Sequence, residues 1–73
     1  MTYTLTAYVE FDPDTNLYMG MIPGISGAHT QAATLDELQK NLQEVLSLCI
    51  EENPDVANEM PHFVGIQQVE VVL

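Results

Sequence analysis

The stretch from Tyr3 to Ile22, YTLTAYVEFDPDTNLYMGMI, decides the fold of this chain. Its first nine residues alternate, with Tyr3, Leu5, Ala7, Val9 and Phe11 on one side and Thr4, Thr6, Tyr8 and Glu10 on the other. A period of two is that of a half-buried strand. Asp12, Pro13, Asp14, Thr15 and Asn16 all favour turns, and their position between two apolar segments describes a hairpin loop. Leu17 to Ile22 then forms a second strand with apolar side chains at both parities, so both of its faces should be covered or partly apolar.

Downstream, Pro23, Gly24, Ser26 and Gly27 break the second strand, and a short third strand fits at about Ala28 to Ala32. Thr34, Leu35, Asp36 and Glu37 make a capping box, in which the Thr34 hydroxyl accepts from the Glu37 amide and the Glu37 carboxylate reaches back to the Thr34 amide. A helix follows, with an apolar stripe of Leu35, Leu38, Leu42, Val45, Leu46 and Cys49 for packing on the sheet. Asn53 and Pro54 end it, residues 54–61 connect, and Phe63 to Leu73 reads as a closing strand that Gly65 bulges or bends. The expected fold is α+β in the order β-β-β-α-β: an antiparallel sheet with one helix packed on one face, in a single domain over residues 1–73. A chain of 73 residues has room for one modest core, since domains of that size bury only about 60% of their unfolded surface.

Eleven acids face a single base, Lys40, for a net charge of −10. Three acids lie in residues 1–33, five with Lys40 in 34–53 and three in 54–73, so there is no acidic tail. One lysine cannot neutralise a phosphate backbone, which argues against direct nucleic-acid binding; a basic protein partner fits better, and keeping a small protein soluble is the other role open to the acidity. Glu51 and Glu52 stand in the last helical turn, where the macrodipole disfavours them, and with Glu44 they are the candidate contacts for that partner. Lys40 sits between Asp36 and Glu44 in an ordinary surface ion-pair row. No apolar run is long enough for a membrane span, and the start at Met1 to Thr4 has no signal-peptide character, so a cytoplasmic location is expected.

The search for chemistry returns turn and surface residues. Asp12, Asp14 and Asn16 copy three ligand positions of a calcium loop, but Leu17 and Pro23 occupy the places that need glycine and glutamate. Gly24, Ile25, Ser26, Gly27 and Ala28 approach a nucleophile elbow and then lack both its last glycine and the helix behind it. His29, His62 and Cys49 have no recognisable zinc spacing, and Cys49, the one cysteine, reads as a buried thiol. No catalytic role and no cofactor is therefore expected. A sheet covered on one side leaves its second face to Tyr8, Tyr18 and Ile22, or to their opposite-parity neighbours, along with part of Val69 to Leu73. Those three residues are the candidate homotypic interface, and a homo-oligomer, a dimer or larger, is expected.

The run Tyr3 to Phe11, the turn Asp12 to Asn16, the strand Leu17 to Ile22, Pro23, Gly27 and the helix start Thr34 to Glu37 together resemble the HicB-like antitoxins. Their pattern is a strand, an acidic turn, an aromatic strand, "vPdlpGc", "GdT" and an acidic helix start, and the likeness spans residues 3 to about 52. The resemblance implies a partial RNase H-like fold without that enzyme's catalytic carboxylates, and a role in blocking HicA, a small basic toxin that cleaves mRNA. Two positions depart from the pattern: Gly24 stands where an acid is usual, and Ala32 replaces the glycine before the threonine, so that corner should be built differently. Many HicB-like proteins continue into a DNA-binding segment, whereas this sequence stops at Leu73, so operator binding is not expected of it. A stand-alone homo-oligomeric domain serving another protein or a small ligand is the alternative, and a residual nuclease or hydrolase a third reading.

Overall fold

Alternation in the first strand and turn residues behind it produce the hairpin from which the rest of the chain is built. The computed structural model describes residues 2–58 and 61–73. Strand β1 (Tyr8–Asp12) pairs antiparallel with β2 (Leu17–Met21), Tyr8 opposite Met21 and Asp12 opposite Leu17. Strand β3 (His29–Ala32) pairs antiparallel with the other edge of β2, His29 opposite Met21 and Ala32 opposite Tyr18, giving the order β1-β2-β3. The single helix α1 (Leu35–Glu52) crosses one face of this sheet, and a 3-10 turn, Pro54–Asn58, follows it. The architecture is thus α+β, three antiparallel strands under one helix; residues 59 and 60 of the expected connection lie outside the described residues.

The turn chemistry is as its residues dictate. The Asp12 carboxylate accepts from the Asp14 amide at 2.9 Å, and the Asn16 amide donates to the Asp12 carbonyl at 2.8 Å. Asn16 closes the loop at φ 60°, a left-handed conformation that asparagine tolerates better than other residues with a Cβ. At the helix start the Thr34 hydroxyl accepts from the Glu37 amide at 3.1 Å; the return bond of the capping box is not formed among the described residues. Asn53 caps the other end, its amide donating to the Cys49 carbonyl at 3.0 Å.

Two small clusters make the core. Leu38 and Leu42 pack with Ala32, flanked by Tyr18; Ile22, Ile25 and Ala28 pack together under Val45, Leu46 and Cys49. Ala7 touches both clusters, so the segment leading into β1 stitches the two halves together. Gly20 lies directly beneath the helix: a Cβ there would come within 3.1 Å of a Leu42 methyl and 3.4 Å of both Leu38 methyls. The corner between β2 and β3 folds Ile25 inward, with the Ile22 amide donating to the Ala28 carbonyl at 2.9 Å, and uses Gly24 and Gly27 at φ of 88° and 82°.

Four expectations change. The strand expected at residues 3–11 pairs only from Tyr8, because the hairpin partner turns away at Pro23; Leu5 and Ala7 keep the inward parity and pack on the core. Among the described residues the closing strand expected at Phe63–Leu73 makes no ladder, so the fourth strand of the β-β-β-α-β order is not formed there and Gly65 has no partner strand to bulge against. Leu35 is 55% exposed although the helical period sets it about 20° from Leu42 within the stripe, because it is the first residue of α1, at the end of the helix. Cys49 is half-buried rather than enclosed.

Gly20→Val should cost about 1–3 kcal/mol by forcing the helix off the sheet, and Asn16→Val about 1–2 kcal/mol by placing a branched side chain at positive φ. Asn16→Gly should leave stability nearly unchanged. Urea unfolding followed by far-UV circular dichroism checks all three.

Candidate functional surface

With β2 set by Gly20 facing the helix, parity assigns every neighbouring side chain to a face. Tyr18, Gly20 and Ile22 point toward the helix, and Leu17, Met19 and Met21 point away from it. Through the register, Tyr8 and Glu10 of β1 and His29 and Gln31 of β3 share the outer face with the two methionines. These residues line a concavity of about 580 Å³ on the open side of the sheet. Tyr8, Met19 and Met21 are 48%, 46% and 49% exposed, an apolar strip with carboxylate, imidazole and amide around it. Met supplies an adaptable surface of the kind used at contact sites.

Of the three residues expected on that open face, the structure places only Tyr8 there. Ile22 is 1% exposed and belongs to the core under Val45, Leu46 and Cys49, and Tyr18 is half-buried against Ala32, Leu38 and Leu42 with its ring 5.0 Å from that of Phe11. Their opposite-parity neighbours, Met19 and Met21, take the positions instead. The sequence signal was the run of apolar residues at both parities in Leu17–Ile22, which marks both faces as apolar without saying which is which.

The second surface is on the helix. Glu44, Glu51 and Glu52 are exposed, and the spacing of four, three and four from Glu44 through Leu48 to Glu51 and Glu52 sets Leu48 among them on the side away from the sheet. Leu48 is 61% exposed, and no base stands in the last turn. Sequence reasoning named the three glutamates and missed the leucine, which its four-residue spacing from Glu44, about one helical turn, could have revealed.

A third cleft, of about 440 Å³, runs between Thr4–Tyr8 and Pro61–Phe63. There the Phe63 ring meets Tyr8 edge-on with centroids 6.1 Å apart. His29 stands on the open face, His62 lies exposed beside this cleft, and Cys49 is on the helix. Among the described residues no three His, Cys, Asp or Glu side chains gather as they would to hold a metal ion, and no helix is long and apolar enough to cross a membrane.

The chain is similar to a UPF0150 protein of Thermotoga maritima, 42% identical over 66 residues that cover 90% of this chain and 87% of that relative. It is also similar to UPF0150 proteins of Archaeoglobus fulgidus, 40% identical, and of Synechocystis sp., 38% identical, each over 86% of this chain and 87% of the relative. No family model matches the chain. No solved structure matches it either.

The glutamates at the negative end of the helix should be replaceable at a gain. Glu51→Lys with Glu52→Lys should raise stability by about 0.3–1 kcal/mol per site at low ionic strength, less as salt screens the helix end. Thermal unfolding at two salt concentrations measures both effects.

Proposed function

The chain belongs to the UPF0150 family, and from that premise we propose that it is an antitoxin-like protein-binding module that neutralises a small basic, mRNA-cleaving toxin of the HicA type by direct contact. The observation that carries this reading is the helix surface, where exposed Leu48 stands among Glu44, Glu51 and Glu52. Glu51 and Glu52, with no base in the last turn, keep a negative potential at that end of the molecule, which speeds encounter with a basic partner. An exposed leucine inside that field offers an apolar contact that is desolvated on docking. Inhibition would follow from occlusion: a basic ribonuclease binds RNA through the same cations that the glutamates would engage. The resemblance of Tyr3 to about Glu52 to the HicB-like pattern points to the same partner class, and no catalytic step on this chain is part of the reading.

The open sheet face favours a second element, self-association. Tyr8, Met19 and Met21 form an apolar strip that a second copy would cover, and the small core would gain by it. A homo-oligomer serving another protein or a small ligand, without a toxin, is the reading that this strip supports if no basic partner binds.

Co-expression with a small basic protein encoded in a neighbouring reading frame should give a complex that co-purifies and suppresses RNA cleavage by that protein. The association rate should fall with rising salt, and Glu44→Lys, Glu51→Lys and Glu52→Lys together should slow it at least about tenfold. Absence of binding or of protection from cleavage refutes the antitoxin reading; a salt-independent rate removes the steering.

A further inference from the structure

In Phe63 to Leu73 composition and surroundings disagree. Five of its eleven residues, Val64, Ile66, Val69, Val71 and Val72, are β-branched, a composition that favours a strand. Yet Val64 is 96%, Ile66 92% and Val72 95% exposed. The radius of gyration, 14.1 Å, exceeds the roughly 11 Å of a compact chain of this length, in keeping with a segment that reaches away from the body. Its root is nevertheless anchored. The Pro61 ring lies where a Cβ on Gly24 would fall, at 2.6 Å, and Phe63 packs edge-on against Tyr8. The arm therefore leaves the body beside residues Thr4–Tyr8.

We propose that this arm is an exchanged strand: it adds to the free β1 edge of a second copy of the chain, whose own arm adds to the first in return. The β1 edge is chosen by length. Strand β3 offers four residues at the other edge of the sheet, whereas β1 with its lead-in from Tyr3 presents ten, against eleven in the arm. At about 3.3 Å per residue the two match over roughly 33–36 Å. The outer amides and carbonyls of β1 are unpaired by any strand of the described residues, which makes that edge a template for another chain.

Charge selects a second copy as the occupant. Two molecules at −10 repel unless they meet where acids are scarce. Tyr3–Phe11 and Phe63–Leu73 hold one carboxylate each, Glu10 and Glu70, while the other nine acids lie on the turn, the helix and the segment after it. A basic partner is drawn to those nine and has little to bind on the arm. Reciprocal exchange across a twofold axis also closes the assembly, leaving neither arm exposed. This inference rests on the self-association element of the proposed function and is independent of the basic partner.

The test uses the full chain. Sedimentation equilibrium should give twice the 8.1 kDa chain mass, and an equal mixture of isotope-labelled and unlabelled protein should show intermolecular nuclear Overhauser effects between methyls of Val69 or Val71 and residues 3–11. Val69→Pro with Glu70→Pro removes one ladder amide of each parity and should raise the dimer dissociation constant at least about tenfold, with the helical circular dichroism retained; Val69→Thr with Glu70→Gln should not. A dimer whose arm contacts are all within its own chain, or one unchanged by the two prolines, overturns the exchange while leaving self-association through another face. A monomeric wild-type protein overturns both. If the proline variant does not fold, the wild-type Overhauser pattern decides alone.

Discussion

The seating of Leu38 and Leu42 over Gly20 is the contact on which the rest of this molecule depends. A residue with no Cβ lets the helix approach the middle strand closely, at 3.1–3.4 Å from the position a Cβ would take. Once Gly20 faces the helix, the two-residue period of the strand sends Ile22 into the core and Met19 and Met21 to the opposite face. A slip of one residue would reverse every one of these assignments, burying two methionines under the helix and placing Ile22 in water. The Asp12–Asn16 turn guards against that slip. Its Asp12 carboxylate and the left-handed Asn16 close the hairpin at one length, which sets Tyr8 opposite Met21.

The same parity explains how much was legible in the amino-acid order. In the first strand polar and apolar residues alternate cleanly, so the inward face of Leu5 and Ala7 and the outward face of Tyr8 follow from the residues alone. The second strand is apolar at both parities, and what breaks the tie is a glycine, whose lack of a side chain carries no hydropathy signal. Alternation alone accordingly groups Tyr18 and Ile22 with Tyr8, although they lie on the other side of the sheet. The helix was legible through Thr34 and the Leu38–Leu42 spacing because capping and amphipathicity are local properties. A strand, by contrast, needs an edge supplied by something else. Phe63–Leu73 carries the composition of a strand, and composition does not name a partner.

Gly24 shows how a departure from the HicB-like pattern that the sequence resembles acquires a cause only in three dimensions. Its φ of 88° would strain any residue with a side chain, and the Pro61 ring occupies the space a Cβ would need. An acid at this position would meet both obstacles. The corner thus exchanges a carboxylate for a close approach between the β2–β3 connection and the root of the C-terminal arm. The direction in which that arm leaves the body is set by this contact together with Phe63 on Tyr8.

Core size joins these features into one physical requirement. Among the described residues the buried apolar side chains are Ile22, Ile25, Ala28, Ala32, Leu38 and Leu42, two of them alanines. Full burial of one large aliphatic side chain contributes about 1.5–3 kcal/mol, so four of them leave little margin once the ordering of the backbone is offset. Meanwhile Val64, Ile66, Val69, Val71 and Val72 stay largely in water, and together they carry as many side-chain carbons as the isoleucines and leucines of the core. A chain built this way has more to gain from covering its arm and open face than from any rearrangement of its interior. Its acids respect that asymmetry: they crowd the turn and helix, where repulsion between copies does no harm, and are sparse along Tyr3–Phe11 and the arm. Stability and assembly are then linked by mass action, since whatever binds the folded chain and not the unfolded one adds to the stability of the fold.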